Sequence, residues 1–319
     1  MKYGSACCRI LNGYKMNKRY NTVADALRDR FGHSVGKICI DGGFTCPNRD
    51  GTCGVGGCIF CGERGAGEHI DAAAASIGEQ ARQFLASDRG KLYERYIAYF
   101  QNFSNTYAPP EILRERYAAS LVSDNIVGLA IGTRPDCITP EIADVIAEYS
   151  KSLYVSVELG LQSSNDKTAE LCNRGYKSER FTEAVNLLYS RGIETVAHII
   201  IGLPGECTGT DELAATIDFL NRHPITGVKI HSLYVMEGTR LADMYRAGEF
   251  DPIVRGDHIK RAVYCITHLR PDIIIHRVTG DCPKQLLIAP DWNADKDAVI
   301  VGIDRYMQQN GLWQGCEYE

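Results

Sequence analysis

No apolar stretch in this 319-residue chain approaches the roughly 20 residues that cross a bilayer. Its opening, MKYGSACCRILNGYKMNKRY, lacks the apolar core of a signal peptide. These absences argue against a membrane span and a secretory leader, and the expectation is a cytoplasmic protein whose thiols stay reduced. A disulfide framework is also missing, because the thirteen cysteines are odd in number and mostly scattered singly. Cys39, Cys137, Cys172 and Cys265 lie in apolar periodic stretches and read as core fillers. No low-complexity linker divides the chain, so its parts are expected to pack together. What remains is ordinary soluble composition, 45% hydrophobic and 24% charged, in a chain long enough to bury a substantial core.

Charge is unevenly spread. The net charge is −5, yet residues 1–40 carry eight basic side chains against two acidic ones, a balance of +6. A basic arm over residues 1–35 suits a polyanion partner such as RNA, and it equally suits a solvated N-terminal segment.

Beyond the arm, short β-branched runs alternate with amphipathic ones. Strands are expected at 36–40, 95–100, 126–132, 153–159, 194–201 and 227–235, with helical patterns in the gaps between them. Pro110 and Pro140 suit helix N-termini, and Gly192 suits a C-terminal stop. Six β-then-α units imply parallel strands, in a barrel or an open doubly wound sheet. Polar residues gather after each strand, as in QNFSNT (101–106), TRPD (133–136) and GLPGE (202–206). Decoration at six consecutive strand ends favours a partial (βα)6 TIM-like barrel over a sheet with one switch point. This α/β core spans 36–246, and the changed rhythm over 247–319 reads as a C-terminal α/β extension packed on it.

The densest chemistry is CPNRDGTCGVGGCIFC, residues 46–61, which places Cys46, Cys53, Cys58 and Cys61 in one loop. Four thiols can close a tetrahedral zinc site. Three can hold an iron–sulfur cluster whose remaining iron stays open. The spacings of six, four and two intervening residues do not form paired CxxC knuckles, and loop chemistry alone leaves both readings open.

The ending CIFC, with Phe60 beside the last cysteine, resembles the close of the cluster loop in radical S-adenosylmethionine (SAM) enzymes. GFTCPNRDGT…GGCIFC, YFQNFSNTYAP, IGTRPDCI, ELGLQSSNDKTAELCNRGY, HIIIGLPGE, KIHSLYVMEGT, HRVTGD and IAPDW closely resemble the YhcC-type bacterial family of these proteins, over about residues 17–310. More distantly the chain is similar to the radical SAM domain of the Elongator catalytic subunit and to oxygen-independent coproporphyrinogen oxidases.

The resemblance implies a [4Fe–4S] cluster on Cys46, Cys58 and Cys61, with Cys53 a bystander, and SAM as the second cofactor. It implies that Phe60, Gln162 and Arg174 face the cofactors, Arg174 as a bidentate fork on the methionine carboxylate. Where better-known relatives carry a glycine-glycine-glutamate element, QNFSNT stands here, so Gln101 or Asn102 would meet the amino group. Gly132 replaces a glutamate of several relatives, and His198 an aspartate that reaches the ribose. Alternation places Glu158 on one strand face with Tyr154 and Ser156, from which it would reach the amino group or ribose. Lys229 and His231 share a face of the sixth strand and are the candidate catalytic residues. Arg277 and Asp281 are expected to close over the mouth.

Three functions compete. The Elongator-like elements imply radical chemistry on the side chain of a tRNA wobble uridine, with the basic arm gripping RNA and a flavodoxin or ferredoxin as reductant. The second is radical chemistry on a small metabolite or porphyrin. The third is a non-catalytic zinc or iron–sulfur protein that binds nucleic acid. No thioesterase, acetyltransferase or methyltransferase motif hints at a second half-reaction.

Overall fold

Seven strands run parallel in one curled sheet: β1 (Val35–Ile40), β2 (Arg95–Phe100), β3 (Ile126–Thr133), β4 (Tyr154–Gln162), β5 (Glu194–Ile201), β6 (Gly227–Ser232) and β7 (Ile274–Arg277). Each neighbours the next in chain order, from β1 at one edge to β7 at the other. This half-barrel is seen in a computed structural model that describes residues 18–65, 67, 75–206 and 210–319, and the backbone of 9–11 and 14–16.

Helices begin where the sequence supplies caps. α1 (Val23–Phe31) starts at Thr22, and α2 (Ile77–Ala86) at a Ser76–Glu79 capping box. α3 (Pro110–Ala119) and α4 (Pro140–Ser150) open on proline, whose missing N–H costs nothing there. α5 (Asp166–Leu171), α6 (Ser178–Tyr189) and α7 (Asp211–Asn221) follow. Gly192 takes φ +70° after α6, a left-handed turn that a residue with a Cβ resists. α8 (Arg240–Arg246), α9 (Arg255–His268) and α10 (Lys296–Gln309) complete the set.

Period-two alternation decides the two faces of the sheet. Ile38, Ile40, Leu129, Val155, Val157, Leu159 and Ile230 face the helices in the main core. Tyr154 and Tyr99 face inward, where they pack with Leu27 of α1. A second apolar cluster joins Ile59 of the cysteine loop to Leu203, Leu233 and Leu241 beyond the strand ends. That cluster seats the loop over the barrel.

Three expectations change. The C-terminal extension is not merely packed on the barrel: its strand β7 pairs in parallel with β6 and supplies the seventh strand. Asn21 accepts from the Ile275 N–H, so the segment before α1 covers the edge of β7. The described part of the basic arm is thus built into the fold. Lys18 donates to the Tyr20 hydroxyl, Arg19 to the Leu312 carbonyl, Arg28 to Asp25, Arg30 to Glu194 and Lys37 to Glu158. The side chains of Lys2, Arg9 and Lys15 lie outside the described residues. Cys137, Cys172 and Cys265 are buried, but Cys39 is exposed, because its β1 position faces the open inside of the half-barrel. Among the described residues, no helix is long and apolar enough to cross a membrane.

Candidate active site

The cysteine loop leaves β1 and folds on its own backbone. Arg49 N–H bonds to the Cys46 carbonyl at 2.8 Å, and Cys61 N–H to the Cys58 carbonyl at 3.0 Å. Arg49 then reaches across the loop to the carbonyls of Cys61, Gly62 and Glu63. The segment after α5 clamps the other side. Asn48 donates to the Asn173 carbonyl at 2.6 Å, Asn173 donates to the Gly57 carbonyl at 2.7 Å, and Ile59 N–H to the Cys172 carbonyl at 3.1 Å. Asn173 adopts φ +51° to make this turn, a conformation asparagine tolerates better than most residues.

Cys46, Cys58 and Cys61 line one cavity of about 230 Å³ at the barrel mouth, together with Phe60, Gln101, Gln162 and Arg134. Cys53 is exposed and does not line it; its sulfur takes a bond from Arg134 at 3.5 Å. The Cys61 thiol bonds to Cys58 and draws the Cys58 thiol below its usual range, an effect that the charges of Arg134 and Arg174 reinforce. Among the described residues, no three His, Cys, Asp or Glu side chains gather tightly enough for a single metal ion. Cys53 stands apart from the three cavity cysteines, so the four thiols do not converge as a tetrahedral zinc knot requires. Three soft thiols on one wall, with a cation beside them, fit an iron–sulfur cluster held by three ligands.

Glycines keep the mouth open. A Cβ on Gly132 would stand 3.2 Å from the Phe100 carbonyl, and one on Gly160 would stand 2.5 Å from the Gln162 amide. Gln162 itself adopts φ +60°, a sparsely populated region for glutamine. Tyr176 holds this bend, donating to the Gly160 carbonyl at 2.5 Å with its ring 4.6 Å from the guanidiniums of both Arg134 and Arg174.

Two expected cofactor contacts turn away from the cavity. Arg174 is 1% exposed, and its donors are spent on the carbonyls of Leu161, Ser163 and Tyr176 and on Asp166. It is a structural arginine that ties β4 to the loop clamp, not a fork on a carboxylate. Arg49, Arg134 and Arg277 are the guanidiniums that line the cavity, and Arg134 is itself engaged by Asp136 at 2.6 Å, the Arg174 carbonyl and the Cys53 sulfur. Asn102 is fully buried and donates to Asp41 at 2.8 Å. Gln101 is the residue of that pair on the cavity wall.

Deeper in the barrel, Glu158 gathers three partners. Lys37 bonds to one oxygen at 2.9 Å, while Lys229 and His198 (3.0 Å) share the other. Glu158, expected to meet SAM, lines the cavity while these partners engage both of its oxygens. Burial alone would raise the Glu158 pKa, but Lys229, Lys37 and His198 hold it well below the usual carboxylate range. Burial pulls Lys229 down to about 7, against the attraction of Glu158. Lys229 also donates to the Tyr99 hydroxyl at 3.1 Å and is itself buried behind the wall. Burial likewise takes His198 down to about 4 and His231 well below its ordinary value. His198 and His231 both line the cavity, and the His231 Nε2 is buried with no hydrogen-bond partner among the described residues. Arg277 and Asp281 line it from the far side.

Sequence reasoning missed Lys37, Tyr99, Arg134 and Tyr176. Lys37 and Tyr99 were within reach, since alternation puts both on the inward face of their strands. Nothing local marks Tyr176, which acts through a bend fourteen residues earlier.

Residues 46–220 match the model of the Radical SAM superfamily, and residues 225–309 that of the Radical_SAM C-terminal domain. The chain is 39% identical to the uncharacterized protein YtqA of Bacillus subtilis, over 93% of this chain and 92% of YtqA. It is 35% identical to protein YhcC of Escherichia coli, over 93% of this chain and 95% of YhcC. It is 29% identical to the tRNA uridine(34) acetyltransferase of Methanocaldococcus infernus, over 60% of this chain and 35% of that protein. The structure of the archaeal Methanocaldococcus infernus Elp3 superposes with a TM-score of 0.65 at 19% identity, covering 88% of this chain and 64% of that one.

Proposed function

The chain belongs to the radical SAM superfamily, and from that premise we propose that this enzyme modifies a nucleoside of tRNA, at the side chain of a wobble uridine. When bound, the [4Fe–4S] cluster and SAM supply a one-electron cleavage of the sulfonium that delivers a 5′-deoxyadenosyl radical. The chain's own part is to hold and to shield. Cys46, Cys58 and Cys61 would hold the cluster. Arg134, Gln101 and Gln162 line the adjoining wall, where a carboxylate and an amino group need polar partners. Phe60, Phe103, Ile200, Leu233 and Tyr234 make the rest of the mouth apolar, which keeps water from a reactive radical. His198 and His231 line the cavity as neutral imidazoles, since burial resists their protonation at physiological pH. The electron comes from an external donor such as flavodoxin or ferredoxin.

The observation that carries the substrate is the 29% identity to a tRNA uridine(34) acetyltransferase over 60% of this chain. The basic arm adds little, since each of its described cations already has a partner within the protein. Mass spectrometry of tRNA nucleosides from cells with and without the gene tests the reading. The expected result is one modified uridine lost in the deletion strain. An unchanged nucleoside profile under anaerobic growth would move the substrate to a small metabolite.

A further inference from the structure

Among the described residues, the charges that line the cavity have a partner within hydrogen-bond distance except Arg277, whose side chain is one-third exposed. Glu158 is matched by Lys37, Lys229 and His198, and Asp281 is bonded by Lys296. Arg277 has, among the described residues, only Asp281 at 3.7 Å, beyond hydrogen-bond distance. The backbone is bent to put it there. β7 pairs Ile275 with Val228 and then Arg277 with Lys229, so His276 is an extra residue in a bulge. Without that bulge, alternation would turn Arg277 to the helix side with Ile275. With it, Arg277 shares the inward face of Lys229. Bulges that re-aim a side chain beside an active site are maintained features rather than defects.

Arg277 also stands at a junction. A second cavity of about 300 Å³ opens along the outer edge of β7, and Arg277 and Asp281 line both it and the active-site cavity. Its size falls at the small end of ligand-binding sites, roughly 300–1,000 Å³. Lys18, Lys296 and Arg277 face it, against Asp25 and Asp281. Asp25 is engaged by Arg28, and Asp281 by Lys296. The imidazoles nearby add no competing charge, since burial keeps His231 and His276 neutral.

We infer that Arg277 is the receptor for a phosphate group of the substrate, which reaches the active site through this lateral cavity. The phosphate rests on the nucleic-acid reading above; the anion site itself does not. A guanidinium fork with unspent donors matches a phosphate in two parallel hydrogen bonds, which the compact ammonium of a lysine cannot reproduce.

The test titrates anaerobic, cluster-loaded wild type, Arg277→Gln and Arg277→Lys with inorganic phosphate at fixed ionic strength, with acetate as a carboxylate control. Wild type should bind phosphate saturably, Arg277→Gln at least tenfold more weakly, and Arg277→Lys in between. In a salt series with tRNA, Arg277→Gln should flatten the log–log slope by about 0.7, one single-strand phosphate contact. Cluster content and circular dichroism establish that the variants fold, and Arg277→Lys carries the comparison if the glutamine variant does not. Equal phosphate binding in wild type and both variants would overturn the assignment. So would preference for acetate, or a tenfold loss of SAM affinity, which would put Arg277 on the cofactor. If wild type ignores tRNA while phosphate binding still depends on Arg277, the nucleic-acid reading falls and the receptor stands.

Discussion

Cys53 shows how little separates a ligand from a bystander in sequence. It lies within the same sixteen residues as the three cavity cysteines, yet its sulfur is turned out of the cavity toward Arg134. Replacing it with alanine should therefore leave iron and sulfide content after anaerobic reconstitution near that of wild type. Alanine at Cys46, Cys58 or Cys61 should abolish the brown [4Fe–4S] absorbance. Iron loss in Cys53→Ala with retention in Cys46→Ala would reverse the ligand set. The cysteines were legible because their spacing is itself the chemistry. Arg174 was not, because a sequence does not record which way a guanidinium turns. Only the folded chain shows three carbonyls and a carboxylate consuming its donors away from the cavity.

At the scale of elements, alternation along β4 already separated Glu158 from Val157 and Leu159, and the barrel follows that pattern. The network it builds could not be read, because Lys37, His198 and Lys229 come from β1, β5 and β6 and meet only when the sheet curls. The seventh strand was hidden for a related reason: it follows α9 and a break in rhythm, so it read as an appendage. The network has a measurable pH signature. Glu158→Gln leaves the buried ammonium of Lys229 and the partly exposed one of Lys37 without their counter-charge, a loss of about 3–5 kcal/mol of stability. Removing the carboxylate also lowers the folded-state pKa of Lys229 below its present value of about 7. The cost is then fully present while Lys229 is protonated in both folded proteins, shrinks with rising pH once the variant's Lys229 is neutral, and levels off above about 7, where wild-type Lys229 gives up its own proton. Urea unfolding of both proteins at pH 6 and pH 8.5 should show the larger gap at pH 6. A gap that stays constant between the two pH values would mean that Lys229 keeps the same charge in both folded proteins.

At the scale of the whole molecule, the two ends of the chain close the barrel's exposed edge together. A half-barrel leaves β7 with one unpaired side, and unpaired edges invite wrong partners. Here Asn21 accepts from the Ile275 N–H, and residues 19–21 are themselves held by the C-terminal tail. Gln314 is the joint. Its backbone N–H bonds to the Arg19 carbonyl at 2.9 Å, its side-chain oxygen accepts from Asn21 N–H at 2.9 Å, and its amide nitrogen donates to the Ile273 carbonyl at 2.6 Å. Gln314→Ala removes the partner of a part-buried N–H on Asn21 and strands the buried Ile273 carbonyl, which costs roughly 1–3 kcal/mol for the buried group left unsatisfied. The loss should be local, because β1 to β6 are paired on both sides or packed under helices and owe nothing to this joint. Hydrogen exchange should therefore rise at the Ile275 N–H while the N–H groups of Leu129 and Val157 keep their protection. Faster exchange at all three would make Gln314 a determinant of global stability. Unchanged exchange at Ile275 would mean that β7 holds its place without the chain ends, so the protein would need another account of how the lateral cavity beside Arg277 keeps its wall.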